Sequence, residues 1–256
     1  MISDRKVALI TGATSGFGEA IAYIFAEHNW DIVITGRRAE RLNSLAEKLS
    51  DDFDINAHPL VFDVRDRKET EIALSTIPHQ LKNIDLLINN AGLASGFSNL
   101  QDGDIDDWEA MIDTNVKGLL YVSRNIIPGM IERGSGHIIN LGSTAAKVVY
   151  PKGNVYCATK FAVDALTKSM RIDLLPHRIK VTVIHPGAAE TEFSKVRFHG
   201  DEIKAKAVYD GFEPMVARDI AEVTYFAATR SPNLVLNEII MTPLAQANSS
   251  YIHREQ

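Results

Sequence analysis

Residues 7–28 read VALITGATSGFGEAIAYIFAEH, and this stretch decides the fold. The apolar run at its start is four residues long, enough for a short buried strand and too short for the core of a signal peptide. Gly12, Gly16 and Gly18 follow, with Thr14, Ser15 and Phe17 among them, and a helix-like stretch occupies 18–28. Glycines at a strand-to-helix turn let the backbone approach a phosphate closely. The helix behind them offers unpaired N–H groups and the positive end of its dipole. The turn therefore reads as a nucleotide site, against the plainer reading of a tight connection that binds nothing.

Outward from this unit, short apolar runs alternate with amphipathic ones. Strands are expected at 7–10, 32–35, 60–62, 86–88, 137–141, 181–184 and 238–241, and helices at 18–28, 39–49, 68–77, 108–127, 156–174 and 217–228. The strands are apolar nearly throughout, as in sheets covered on both faces. This predicts an α/β fold: a single-domain Rossmann fold over 1–256, with a doubly wound parallel sheet of about seven strands and helices on both faces. Ligands of such sheets bind beyond the carboxyl ends of the strands. The polar segment 191–214 fits no strand and only a weak helix, and is expected to be a mobile substrate lid.

Composition narrows the function classes. With 45% hydrophobic and 23% charged residues the chain has the balance of a soluble globule. A net charge of −6 argues against a basic nucleic-acid-binding surface. No apolar stretch approaches the length of a membrane span. The one cysteine, Cys157, forbids an intrachain disulfide and fits a cytoplasmic protein. The eight histidines show no i,i+4 pair and no cysteine cluster, so no metal site is expected.

The second strand ends in ITGRR. An acidic residue here would bond the 2′-hydroxyl of NAD and repel a 2′-phosphate. Arg37 and Arg38 stand there instead, and two guanidinium groups suit the 2′-phosphate of NADP(H). Arginines also oppose the dipole at a helix start, which makes a purely structural role less natural.

Further along, Tyr156 and Lys160 in NVYCATK lie four apart and share a helix face. Reducing a carbonyl needs a proton donor at oxygen as hydride reaches carbon. A tyrosine, with an ordinary pKa of about 10, serves near neutral pH only if nearby positive charge, such as a Lys⁺, favours tyrosinate. Ser143 in INLGSTAA can donate a hydrogen bond to the substrate oxygen.

These motifs together (TGATSGFG, NNAG, Asn115 in MIDTNVKG, Ser143, and Tyr156 with Lys160) resemble the short-chain dehydrogenase/reductase family over nearly the whole chain. The resemblance implies an oxidoreductase that moves hydride between NADP(H) and an alcohol–carbonyl pair. It implies that Asn90, Ala91 and Gly92 line the cofactor, and that Asp63, with Val64 beside it, contacts the adenine. It further implies that Asn115 helps hold a water linked to Lys160, and that Lys160 also holds the nicotinamide ribose. Pro186, Gly187 and Thr191 in HPGAAET would meet the nicotinamide amide. A homotetramer is the expected assembly.

The stretches GHIINLGSTA, TEFSKVRFHGD and NEIIMTPLAQA look like the NADP-dependent 3-hydroxy acid (serine/allo-threonine) dehydrogenase branch, which includes sulfoacetaldehyde reductases. A small anionic substrate needs a cation, which Arg197 would supply, with Tyr150 bonding the same group. Relatives often carry an aromatic residue where this chain has Val148 or Val149, which leaves the pocket's size open. Two readings compete: a 3-oxoacyl or other carbonyl reductase on a bulkier substrate, and an NADP-sensing regulatory protein. The second has no need of Ser143, Tyr156 and Lys160.

Overall fold

A computed structural model describes residues 5–255. The first half builds β1 (Val7–Ile10), α1 (Gly16–Glu27), β2 (Asp31–Gly36), α2 (Ala39–Phe53), β3 (Ala57–Val61), α3 (Arg67–Ser75) and β4 (Ile84–Asn89). There follow α4 (Ile105–Ile112), α5 (Leu119–Arg133), β5 (Gly136–Leu141), α6 (Asn154–Leu174) and β6 (Ile179–Pro186). The chain then forms β7 (Ala189–Glu190), α7 (Glu192–Arg197), α8 (Glu202–Ala207), β8 (Met215–Val216) and α9 (Ala217–Ala228). It ends in β9 (Glu238–Met241), β10 (Gln246–Asn248) and β11 (Tyr251–Ile252).

Seven strands pair in the order β3-β2-β1-β4-β5-β6-β9, all parallel. The order reverses between β1 and β4, which opens a crevice at the carboxyl end of β1. Side chains alternate along each strand and feed two cores. Ala8, Ile10, Ile32 and Ile34 face α1, α2 and α9 on one side. Val7, Leu9, Val33 and Ile138 face α3, α5 and α6 on the other. Each fully buried Ile or Leu contributes on the order of 1.5–3 kcal/mol, so two covered faces stabilise strands whose centres are mostly apolar.

Buried polar side chains form a relay. Asn89 donates from Nδ2 to Ser123 Oγ at 2.9 Å and to Asn140 Oδ1 at 2.8 Å, and Asn140 donates onward to Thr167 Oγ1 at 2.8 Å. This buried chain runs from α5 through β4 and β5 to α6, and it fixes the register of the central strands against their helices.

One expectation needs correction. The helix expected over 108–127 is interrupted: α4 and α5 are separated by a π turn at Asp113–Gly118. Nothing in the residue periodicity marks it, because the apolar spacing continues through a single wide turn. The segment 191–214 has no strand, as expected, and holds two short helices, α7 and α8. Thr191 caps α7 by accepting from Phe193 N–H at 3.2 Å, and Asp201 caps α8 through Lys204 N–H at 3.1 Å.

Candidate active site

The glycine turn is drawn tight against the segment after β4. Gly12 has φ +67° and Gly16 φ +57°, the left-handed region that suits glycine. A Cβ on Gly12 would come within 2.9 Å of the Ala91 backbone, and one on Gly18 would run into the Gly12 carbonyl and the Asn90 amide. Asn90 holds the turn by donating to the carbonyls of Thr11 at 2.8 Å and Gly12 at 3.1 Å. The N–H groups of Asn90 and Ala91 both donate to Thr11 Oγ1. Ser15 precedes α1 without capping it, so the first N–H groups of the helix have no side-chain partner there. This is a cradle that a pyrophosphate fits: no Cβ intrudes, and the N–H groups stand at a helix start.

Arg38 lies at the mouth of the cradle and is already engaged. It donates to Thr14 Oγ1 and carbonyl oxygen, to Ser15 Oγ at 2.7 Å, and to Glu192 Oε2 at 2.8 Å. Arg41 holds the other Glu192 oxygen at 2.9 Å. Arg37 pairs with Asp63 at 3.6 Å. The two arginines therefore have structural partners, contrary to the argument from the helix dipole, which considers only the backbone. Glu192 is the residue that argument lacked. Its carboxyl is held down to about 2, first by the Arg38 hydrogen bond. Asp63 bonds the Arg65 N–H and guanidinium, while the cap of α3 is Asp66. Val64 is buried, its methyl group against Gly118 of the π turn.

Tyr156 and Lys160 project from one face of α6, both buried. Lys160 donates to the Leu141 carbonyl at 2.9 Å, and burial brings its pKa down to about 8. Gly92 makes room for it: a Cβ there would lie 3.2 Å from Asn115 Oδ1 and 3.6 Å from Lys160 Nζ. Asn115, turned inward by the π turn, accepts from Leu93 N–H and donates to the Leu93 carbonyl, both at 2.8 Å, and donates to Thr159 at 3.0 Å. Its side-chain amide thus pins the strand-end loop. Ser143 caps the short turn after β5, its hydroxyl accepting from Ala145 N–H, and it lies near enough to Tyr156 to lower the phenol's pKa.

Burial adds an influence that the sequence does not show. It pushes the Tyr156 phenol well above its ordinary value, and the influences that lower it include the nearby Ser143 hydroxyl and the charge of Arg197. The lysine is itself desolvated, whereas Arg197 sets its guanidinium 5.5 Å from the Tyr156 ring centre. Arg197 also donates to the Tyr150 hydroxyl at 2.7 Å and stands 4.9 Å from the Phe97 ring centre. Its Nε is buried without a hydrogen-bond partner. Arg197, Phe97 and Tyr156 line a cleft of about 490 Å³. Sequence spacing gave no hint of Phe97, since its segment belongs to no regular element.

Pro186 ends β6, and Gly187 N–H donates to the Met241 carbonyl at 2.8 Å. Thr191 lies against the glycine turn, 3.3 Å from where a Gly16 Cβ would sit. His185 is brought beside Asp164 and Glu238, a grouping invisible to helical spacing. The Lys147 ammonium answers both carboxylates, at 2.9 and 2.5 Å.

A phosphate cradle at the sheet's switch point, beside a buried Ser–Tyr–Lys group at the next strand ends, defines a dinucleotide-dependent oxidoreductase. Residues 6–202 match the short chain dehydrogenase family model, and the chain belongs to that family. It is 43% identical to the NADP-dependent 3-hydroxy acid dehydrogenase YdfG of Salmonella typhi, over 97% of this chain and 99% of the relative. It is also 43% identical to sulfoacetaldehyde reductase 2 of Chromohalobacter salexigens, over 96% and 97%. Among solved structures it resembles the closed form of a serine dehydrogenase complexed with NADP⁺, with a TM-score of 0.91 and 41% identity, over 98% of this chain and all of that one.

Proposed function

We propose that this protein is an NADP(H)-dependent dehydrogenase interconverting a short 3-hydroxy acid, or a related small anionic alcohol, and its carbonyl partner. The observation that carries the substrate class is Arg197: a guanidinium held by Tyr150 beside the Tyr156 ring, with a buried Nε that bonds nothing. A buried donor without an acceptor costs on the order of 1–3 kcal/mol, and a carboxylate or sulfonate would remove that cost.

The cofactor is NADP. The glycine turn at Gly12, Thr14, Ser15, Gly16, Phe17 and Gly18 would hold its pyrophosphate, and Arg37 and Arg38 its 2′-phosphate. Asp63 and Val64 would flank the adenine, Asn90, Ala91 and Gly92 would line the far wall, and Pro186, Gly187 and Thr191 would stand at the amide end. When bound, the cofactor supplies the hydride acceptor for oxidation and the donor for reduction.

Tyr156 is the acid–base group. In oxidation its oxygen takes the hydroxyl proton as the carbinol C–H bond breaks, and in reduction it returns that proton to the carbonyl oxygen. Ser143 donates a hydrogen bond to the same oxygen. Lys160 and Asn115 order the floor beneath them. The segment 191–214 acts as the lid that carries Arg197 to the substrate.

Assembly as a homotetramer is proposed on the exposed apolar side chains of α5 and α6, Leu120, Phe161 and Ile172 among them. Among the described residues no helix is long and apolar enough to cross a membrane, and Cys157 is a buried free thiol, in keeping with a cytoplasmic enzyme. Purified protein assayed with NADP⁺ and NAD⁺ against short hydroxy acids, hydroxysulfonates and neutral secondary alcohols tests the proposal. Turnover of the acids or sulfonates with NADP⁺ is expected. A preference for neutral alcohols or acyl thioesters would overturn it.

A further inference from the structure

Behind Ser143, on the side away from Tyr156, lies a buried group with no part in the chemistry so far. His185 of β6 is fully buried. Its Nδ1 lies 3.2 Å from the Ser143 backbone nitrogen and 3.0 Å from the Ser143 backbone oxygen. The ring reaches the backbone because residue 142 is glycine: any Cβ there would collide with the imidazole.

The far edge of the ring decides which contact is made. Nε2 is 3.4 Å from Asp164 Oδ1 of α6 and 3.6 Å from Glu238 Oε1 of β9. Neither Nε2 nor Asp164 Oδ1 has another hydrogen-bond partner. A bare Nε2 lone pair against two carboxylates is repulsive, so the proton of the neutral ring belongs on Nε2. Nδ1 is then an acceptor, and the bond it forms is the one donated by Ser143 N–H. The carboxylates are held in turn by cations. Asp164 Oδ2 takes Lys147 at 2.9 Å and Lys168 at 2.8 Å, and Glu238 takes Lys147. Burial first, and then the Lys147 charge, hold the imidazole in its neutral form.

The structure assigns His185 a positioning role: accepting from the Ser143 backbone N–H, with its tautomer set by Asp164 and Glu238, it fixes the direction in which the Ser143 hydroxyl faces the substrate oxygen. The role is independent of substrate size and cofactor, and it rests on Ser143 acting as proposed above. A hydroxyl donor displaced by a few tenths of an ångström loses much of its value when charge develops on oxygen.

The test uses paired isosteres. Asparagine places an amide where Nδ1 sits, and glutamine carries it out toward Nε2. Steady-state kinetics are read with NADP⁺ and whichever alcohol the wild type oxidises, 3-hydroxypropionate first. His185→Leu and His185→Gln should lower kcat about tenfold or more with KM and NADP⁺ affinity within about twofold, and His185→Asn should restore most of kcat. If His185 acts through Ser143, the double variant Ser143→Ala/His185→Leu is no slower than Ser143→Ala alone. Full multiplication of the two losses, or a His185→Gln enzyme as fast as His185→Asn, would overturn the inference. Should the leucine variant not fold, the asparagine–glutamine comparison decides by itself. A fully active Ser143→Ala enzyme would instead sink the role given to Ser143, so the two failures are distinguishable.

Discussion

Glu192 at the start of α7 and Arg38 at the start of α2 meet at 2.8 Å across 154 positions of sequence. The pair joins the lid to the arginine assigned to the cofactor's 2′-phosphate. With Arg38 taking the 2′-phosphate as proposed, a carboxylate and a phosphate would compete for one guanidinium, and the proposed lid would be linked to the choice of cofactor.

Opposite signs are expected at the two ends of this pair. Arg38→Ala should weaken NADP⁺ about tenfold or more while affecting NAD⁺ much less, as for loss of a charge-assisted bond. Glu192→Gln should do the reverse and tighten NADP⁺ selectively, since it removes the competing charge. Titrating both cofactors against both variants by fluorescence decides the matter, and parallel changes for NAD⁺ and NADP⁺ would place both residues outside phosphate recognition.

The same pair sets an acid dependence. Because the folded carboxyl titrates at about 2 against an ordinary 4.5, its stabilising contribution is complete above the ordinary value and is lost as pH falls toward about 2. The pair is solvent-exposed at both partners, so the effect is modest and weakened by salt. Melting curves of the wild type and Glu192→Gln should differ near neutrality and converge on acidification. A gap that stays constant with pH would mean that the ion pair does not stabilise the fold.

Tyr156→Phe keeps the ring, and with it the edge contact to Phe193, and removes only the hydroxyl. Turnover should fall by about 10²-fold or more, with the melting temperature and NADP⁺ affinity retained. A folded variant with near-normal kcat would remove Tyr156 from the acid–base role.

Arg197 is tested by comparing substrates. Arg197→Ala should depress kcat/KM for a hydroxy acid by about 2 kcal/mol or more and for a neutral alcohol of similar size far less. Its side chain also packs on Phe97 and Tyr150, so Arg197→Lys provides the control: it keeps a charge but not the bidentate fork. Equal losses for acid and neutral alcohol would make Arg197 a packing residue of the lid.

What the sequence carried well was whatever repeats locally. Strand β1 and the turn behind it are read from glycine spacing and a run of apolar residues, and Tyr156 with Lys160 from one helical turn. Long-range pairings were illegible for the same reason. Nothing near Arg38 announces Glu192, and nothing near His185 announces Asp164 or Glu238, because each contact exists only once the sheet has brought distant strand ends together. The burial of Tyr156, which raises its phenol, was illegible for the same reason.

The π turn between α4 and α5 holds one residue more than an α-helical turn would. It marks the passage from one core to another. Met111 packs around Tyr156 before it, and Val122, Ile126 and Met130 pack with Val7, Leu9 and Ile138 after it. Deleting one residue of 113–118 would let an ordinary helix run through with its two flanks still in phase, because the wide turn is what absorbs the surplus residue. The loss would fall on Asn115, whose side chain is set against Leu93 from within that turn. The length of this stretch is therefore as much a determinant of the Asn115 contact as the residue itself.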